Sequence, residues 1–152
     1  PRRGDIVVLD SKAAGERLVK RVIGLPGDLV ELRGNVLYLN GRPASYAAAS
    51  EDGIADDRHM PARYAVEAYP GMRHEVRLAL AGPGPAGSFG PVRVPAESYL
   101  LLGDNRDDSC DSRCFGFFPR REIVGRSRYV VLSLDPQRHD LPRAGRFGAA
   151  LD

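Results

Sequence analysis

The sequence has little of what marks a membrane helix, a zinc site or an aromatic binding platform. No apolar run approaches the roughly 18–20 residues that a membrane-spanning helix needs, so we expect these residues to form a soluble domain. Tryptophan is absent and the six tyrosines are dispersed, which argues against a carbohydrate-binding surface. Two cysteines and three scattered histidines show no metal-ligand spacing. We therefore expect neither a metal nor another cofactor.

Lysine is scarce as well. Of the 22 basic side chains only Lys12 and Lys20 are lysines, so 20 are arginines. The 20 acidic side chains nearly cancel this charge, and the sequence predicts no nucleic-acid partner. A chain that uses arginine so consistently makes each remaining lysine a candidate for work that arginine cannot do.

The rest of the composition favours β-structure. Glycine and proline together account for 29 of 152 residues, which argues against a helical bundle. Short β-branched and aromatic runs separated by turn residues predict a mostly β fold, either a barrel or a folded sheet. Gly34-Asn35 predicts a tight hairpin turn between two of these runs. The predicted strands cover residues 6–9, 18–23, 29–32, 36–39, 64–69, 75–80, 92–94, 99–102 and 123–134.

A change in amino-acid composition divides the chain. Residues 44–91 contain an acidic loop and the turn-prone sequence AGPGPAGSFG, and we interpret them as an inserted, smaller β-rich subdomain with mobile edges. Residues 1–43 and 92–137 then form one β core. The tail, 138–152, shows little pattern.

One strand carries a lysine among aliphatic residues. Alternation along the run LVKRVI places Lys20 on the same face as Leu18 and Val22, with Val19, Arg21 and Ile23 on the other face. Such an ammonium is either a solvated lysine at a sheet edge or a partly desolvated group, and the pattern alone leaves both open.

The segment 103–113, GDNRDDSCDSR, combines four carboxylates, two arginines and two serines. A solvated acidic loop and a calcium site are both conceivable, but the ligand pattern of an EF-hand is not met. The interleaved Arg106 and Arg113 favour an internal ion-pair network. Cys110 and Cys114 are candidates for a small disulfide loop, or they are two free thiols.

Five blocks in order resemble type I signal peptidase, the membrane-anchored serine endopeptidase that removes signal peptides from exported proteins. The blocks are RGDIVV (3–8), KRVIGLPGD (20–28), NVLYLNG (35–41), GDNRDDSCDSR (103–113) and GFFPRREIVGR (116–126). The resemblance implies a signal-peptidase-like folded or barrel β-sheet core with an inserted β-rich subdomain. It also implies a domain on the extracytoplasmic side of the bacterial cytoplasmic membrane.

The same resemblance assigns a catalytic dyad. Lys20 matches the general base of a Ser–Lys pair, and Ser109 matches the serine that hydrogen-bonds to the lysine nitrogen and orients it. A lysine in this role has to lose its proton near neutral pH, which burial promotes and which a guanidinium never does. Gly103 matches a position where a side chain would crowd that lysine.

Further residues match the surroundings of the dyad. Arg21, Asp104, Asp111 and Arg113 correspond to charged residues that brace the site through ion pairs. Leu18, Val19 and Val8 are expected to line shallow pockets for small side chains at substrate positions −1 and −3, which favours Ala-x-Ala sites.

Partners follow from the resemblance too. The expected partners are the signal peptides of exported preproteins and a membrane lipid surface, and the protein is expected to be monomeric. Phe115, Phe117 and Phe118 are interpreted as core and rim of the barrel, with an exposed apolar surface that dips into lipid as the alternative.

The chain departs from the family in one respect, because the block Ser-Met-x-Pro that carries the nucleophile is not in it. Ser11 is predicted to be a loop residue, so the 152 residues alone are expected to be inactive. A truncated form of a normal enzyme is the favoured explanation. The alternatives are an upstream segment that is disordered and unseen, and a naturally serine-free scaffold that binds extended peptides by adding a strand.

Overall fold

The computed structural model of the protein describes residues 1–49 and 61–129, together with the backbone of residues 134–135 and 141–142. Strands dominate this part of the chain, which confirms the mostly β prediction. One short helix, α1 (Ser112–Phe115), and two 3₁₀ turns, Pro85–Gly87 and Arg120–Glu122, accompany the strands. The strands are β1 (Ile6–Ser11), β2 (Glu16–Gly24), β3 (Leu29–Arg33), β4 (Val36–Leu39), β5 (Arg42–Pro43), β6 (Ser45–Ala48), β7 (Ala62–Tyr69), β8 (Met72–Ala79), β9 (Phe89–Arg93), β10 (Ser98–Leu102), β11 (Phe118–Pro119), β12 (Ile123–Ser127), β13 (Leu134–Asp135) and β14 (Leu141–Pro142).

Sheet 1 is antiparallel and has the strand order β11-β10-β2-β1-β12. Both of its faces are covered, because buried aliphatic residues alternate along β2 and β10. Val22 and Leu101 pack with Val7 and Phe118 on one face. Ile23, Leu100 and Leu102 pack against sheet 2 on the other. The middle strand β2 is thus fixed from both sides.

Sheet 2 has the order β5-β4-β3-β9, and its hairpin confirms the predicted tight turn. Gly34 and Asn35 have φ values of 56° and 66°, the left-handed pair that a two-residue type I′ turn requires. The sheet packs closely on sheet 1 at Gly24, where an added Cβ would lie 2.8 Å from the methyl groups of Val30 and Val94.

Sheet 3, of order β6-β7-β8, lies wholly within the segment 44–91. The boundary at 91 falls inside a strand, since β9 pairs with β3 of sheet 2. The division into core and insertion stays a prediction. The acidic stretch from residue 50 to residue 57 lies outside the described residues, as does all of the predicted tail except residues 141–142.

The long strand predicted over 123–134 is wrong in its length. β12 ends at Ser127, which pairs with Ile6, the first residue of β1, and residues 130–133 of the predicted strand lie outside the described residues. Leu134–Asp135 instead pairs with Leu141–Pro142.

Phe115, the last residue of α1, and Phe117 and Phe118 after it are packing residues. Phe118 is buried and meets Phe115 edge to face, with 6.4 Å between ring centroids. Phe117 is half-buried against the core between sheets 1 and 2. Their packing favours the core-and-rim interpretation. Along residues 1–49 and 61–129, no helix has the length and apolar character needed to cross a bilayer.

Candidate active site

Lys20 and Ser109, 89 positions apart in sequence, meet beside sheet 1. The Lys20 Nζ atom donates a hydrogen bond to the Ser109 Oγ atom at 3.0 Å. Lys20 pairs with Val7 across β1 and β2, and Leu18 and Val22 pack in the core on the same face. Lys20 is half-buried, so the partly desolvated alternative describes it better than a solvated edge lysine does.

Gly103 directly follows β10, and its surroundings leave no room for a side chain. A Cβ built there would lie 2.6 Å from the Cβ atom of Ser109. The crowding predicted for this position therefore falls first on Ser109, which carries the lysine's hydrogen bond. The Gly103 amide donates to Asp111 Oδ2 at 2.9 Å, and its carbonyl accepts from Arg106 Nε at 3.2 Å.

Asp111 is fully buried and caps the N-terminus of α1. Its carboxylate accepts from Arg113 through Nη2 at 2.7 Å and Nε at 2.9 Å, besides the amide of Gly103. Burial by itself would raise the pKa of Asp111, but the hydrogen bonds from Arg113 and Gly103 outweigh it and hold that pKa below its usual value. The carboxylate is thus kept ionised and fixes the segment around Ser109.

Arg21 and Asp104 form a second brace. Two parallel hydrogen bonds of 2.9 Å join the Arg21 guanidinium to the Asp104 carboxylate, and Arg21 Nη1 donates to the carbonyl of Gly4 at 2.8 Å. Arg21 is buried whereas the Asp104 side chain is 40% exposed. The structure therefore brings together Lys20, Ser109 and Gly103 with all four predicted bracing residues.

The three residues predicted to line the substrate pocket do not all lie on the Lys20 face of the sheet. Leu18 shares the face of Lys20. Val8 pairs with Val19 on the opposite face, and Val19 is 59% exposed. A cleft of about 910 Å³ lies elsewhere, between the start of β1 and the turn from β7 to β8, and its lining includes Tyr69 and Arg126 but not Lys20.

Sequence reasoning missed a buried ionic cluster contributed by sheet 3. Glu67 accepts from both terminal nitrogens of Arg106 at 2.7 Å and from the Tyr46 hydroxyl at 2.5 Å. His74 Nε2 lies 3.5 Å from both Glu67 Oε1 and Arg106 Nη2. The ion-pair network expected around Arg106 and Arg113 is confirmed, but its partner in β7 was unforeseen. A lone glutamate in the apolar run from Tyr64 to Tyr69 was the available signal.

The surroundings of Glu67, His74 and Tyr46 fix the protonation state of each side chain at neutral pH. Burial would raise the pKa of Glu67, but the Arg106 guanidinium holds it below its usual value. Burial, assisted by the positive charge of Arg21, lowers the pKa of His74 to about 4. At neutral pH the cluster therefore contains an ionised glutamate and arginine beside a neutral histidine. Tyr46 stays protonated, because burial raises its pKa.

The two cysteines are joined in a disulfide between Cys110 and Cys114. The bond spans the turn that leads from Ser109 into α1, with both cysteines on the exposed side. Ser11, predicted to lie in a turn, is the last residue of β1, and its Oγ accepts from the amide of Ala14 at 3.0 Å. No group of three or more metal-ligating side chains occurs within the described ranges.

Comparison with known proteins gives a consistent result. Residues 1–132 match the family model described as "Signal peptidase, peptidase S26". Signal peptidase I P of Bacillus subtilis subsp. natto is 35% identical over 139 residues, which cover 91% of this chain and 63% of that protein. Signal peptidase I of Bacillus licheniformis is 36% identical over 138 residues, 90% of this chain and 62% of the relative.

A solved structure, signal peptidase I from Enterococcus faecalis V583, aligns with a TM-score of 0.49 and 31% identity over 84% of this chain and 96% of that one. The chain spans less than two thirds of the length of the Bacillus relatives.

Proposed function

The chain belongs to the signal peptidase family, peptidase S26, and from this we propose that the intact protein removes N-terminal signal peptides from exported preproteins. The proposed cut follows small-x-small sites such as Ala-x-Ala. The observation that supports it is the 3.0 Å hydrogen bond between the half-buried Lys20 amine and the Ser109 hydroxyl. Lys20 can act as a general base there, because a lysine, unlike an arginine, can lose its proton.

In the proposed acylation step, the neutral Lys20 amine takes the proton of the nucleophilic serine as that serine's oxygen bonds to the scissile carbonyl carbon. The resulting ammonium gives this proton to the leaving nitrogen, and the C–N bond breaks to release the mature protein. In deacylation, the same amine activates a water molecule that hydrolyses the ester and frees the signal peptide. Ser109 holds the nitrogen in line during both steps.

We place the nucleophilic serine outside these 152 residues. Ser11 is an unsuitable substitute, because its hydroxyl is engaged by Ala14 and it pairs with Glu16, four residues before Lys20 along β2. The chain by itself is therefore proposed to be inactive. Within the intact protein, the part of the chain that carries the serine would also complete the oxyanion hole and the pocket.

Leu18, Val19 and Val8 are proposed to contribute to the pockets for positions −1 and −3. The half-buried Val8 and the exposed Val19 would offer apolar surface to a small side chain and little depth for a larger one. The domain would act outside the bacterial cytoplasmic membrane, next to the lipid surface from which its substrates emerge.

The test compares variants of the intact protein on a preprotein with an Ala-x-Ala site. Both Lys20→Ala and Lys20→Arg should abolish cleavage, because neither side chain can accept the serine proton, whereas the matched variant Lys12→Arg should cleave normally. Mass spectrometry of the products gives the cleaved bond. Full activity in Lys20→Arg would refute the general-base role, and an unaltered protein that binds but never cuts preproteins would favour a peptide-binding module.

A further inference from the structure

Glu67 of sheet 3 is linked by an unbroken set of contacts to the dyad residues on sheet 1. We propose that Glu67 is a positioning residue that acts through Arg106 and Gly103 to hold Ser109 against Lys20. This inference rests on the proposed function only for the catalytic role that it gives to Lys20. It assigns to a residue of the inserted segment a part in positioning the Lys20–Ser109 pair.

The first contact in the set is a buried ion pair. Both side chains are completely buried, and each carboxylate oxygen of Glu67 accepts from a separate terminal nitrogen of Arg106 at 2.7 Å. A bidentate pair of this kind fixes the plane and the position of the guanidinium. The position of the third guanidinium nitrogen, Nε, is thereby fixed as well.

The second contact is to the carbonyl of Gly103, which accepts a hydrogen bond from Arg106 Nε at 3.2 Å. The amide of the same glycine is held by Asp111. Arg113, the partner of Asp111, also donates from Nη1 to the carbonyl of Arg106 at 2.6 Å. Gly103 is therefore held at its amide by Asp111 and at its carbonyl by Arg106, and Arg113 links these two residues.

Gly103 in turn packs directly against Ser109. An added Cβ would come within 2.6 Å of the serine Cβ, so a small movement of Gly103 must move Ser109. The Ser109 hydroxyl accepts the hydrogen bond of Lys20 at 3.0 Å. A displacement of a few tenths of an ångström is enough to weaken a bond of that length.

Backbone hydrogen bonds also join sheet 3 to the loop that carries Asp104 and Arg106. The Arg77 amide in β8 donates to the carbonyl of Asp104 at 2.9 Å, and the Arg106 amide donates to the carbonyl of Arg77 at 3.0 Å. Replacing the Glu67 carboxylate would leave a buried guanidinium without its full countercharge. The guanidinium would then have to seek other acceptors and would give up its bond to Gly103.

The experiment uses the intact protein with Glu67→Gln, and Glu75→Gln as the matched control. Glu75 lies opposite Val66 in the same sheet and is exposed, so its substitution removes the same charge without touching Arg106. Acetic anhydride at limiting concentration acetylates neutral amines, and peptide mass spectrometry measures acetylation of Lys20 relative to Lys12 over a pH series. This readout requires no peptidase activity.

In Glu67→Gln the ratio of Lys20 to Lys12 acetylation should rise about threefold or more across the pH series relative to the unaltered protein, because the Lys20 amine has lost its hydrogen bond to a fixed Ser109 hydroxyl. Glu75→Gln should match the unaltered protein. On a preprotein substrate, Glu67→Gln should lower kcat about tenfold with little change in KM, since Glu67 touches no substrate.

The two proposals fail differently. If the unaltered protein never cleaves, the proposed function fails while the acetylation profile still decides the role of Glu67. A folded Glu67→Gln protein with an unchanged acetylation profile overturns the positioning role. Should Glu67→Gln not fold, Arg106→Lys keeps the charge opposite Glu67 but loses the bond to Gly103. It is expected to shift the profile, and an unchanged profile in that variant equally overturns the inference.

Discussion

Lys20 and Arg21, consecutive residues of β2, extend from opposite faces of sheet 1 and both bond to the loop that follows β10. Lys20 reaches Ser109, and Arg21 forms its two parallel bonds to Asp104. Strand alternation places the two side chains on opposite faces, so the loop is attached to β2 at two separated points. This arrangement explains why a charged pair interrupts an otherwise aliphatic strand.

The Ser109 hydroxyl should matter for turnover and little for folding. In Ser109→Ala the intact protein should lose about tenfold or more in kcat, a fraction of the 10²–10⁴ that a positioned base contributes, because the Lys20 amine is no longer oriented. Cleavage kinetics and thermal melting by circular dichroism check this. Ser98→Ala, a half-buried serine of β10, is the control. Unchanged kcat and pH profile in Ser109→Ala would show that Ser109 does not orient the lysine.

Gly103 should tolerate no side chain. Gly103→Ala forces a methyl group into Ser109, and we expect a loss of about 1–3 kcal/mol in the free energy of unfolding. Gly125→Ala in β12 is the matched variant, because a Cβ there has no atom within 4 Å, and its effect should be within about 0.5 kcal/mol. Urea unfolding measures both. Equal stabilities would mean that Ser109 moves aside without cost.

The disulfide between Cys110 and Cys114 should make a modest contribution to stability. A closed loop of five residues removes chain entropy worth about 2 kcal/mol from the unfolded state. The double variant Cys110→Ser with Cys114→Ser should lose up to about that amount in urea unfolding while keeping the fold. Alkylation followed by mass spectrometry of the untreated protein should find no free thiol, and reaction at both cysteines would contradict the bonded state.

Much of the fold was predictable from local signals. Alternation of apolar residues and the Gly34-Asn35 turn located the hairpin of β3 and β4 with its correct register. The resemblance around Gly103 likewise predicted that Ser109 lies beside Lys20. These features depend on residues close in sequence or on a shared family pattern, and both are visible in one chain.

What could not be predicted depends on contacts between distant segments. β12 ends at Ser127, opposite the first residue of β1, Ile6, and nothing in the sequence of β12 itself indicates that limit. Glu67 and Arg106 are 39 positions apart, and their pairing depends on how sheet 3 docks on the loop after β10. Val8 and Val19 lie on the face away from Lys20, as alternation predicts for Val19, and their role in a substrate pocket stays a prediction.

His74 should make stability depend on pH between about 7 and 4. Its pKa is lowered from the model-peptide value of 6.5 to about 4, because burial and the charge of Arg21 disfavour the protonated ring. Below pH 6.5 His74 therefore binds a proton in the unfolded chain but stays neutral in the folded protein. The free energy of unfolding falls with decreasing pH until the folded histidine is also protonated.

This loss should amount to about 2–3 kcal/mol between pH 7 and pH 4.5. His74→Gln retains an acceptor for Arg106 but does not titrate, so its stability should fall less over the same range. Asp111 and Glu67 also have lowered pKa values, and their contributions to stability begin to fall near the unfolded values of about 4, at the acidic end of this range, in both proteins. Urea unfolding at half-unit pH intervals gives the two slopes. Parallel slopes for the two proteins would show that His74 is protonated in the folded state as readily as in the unfolded chain.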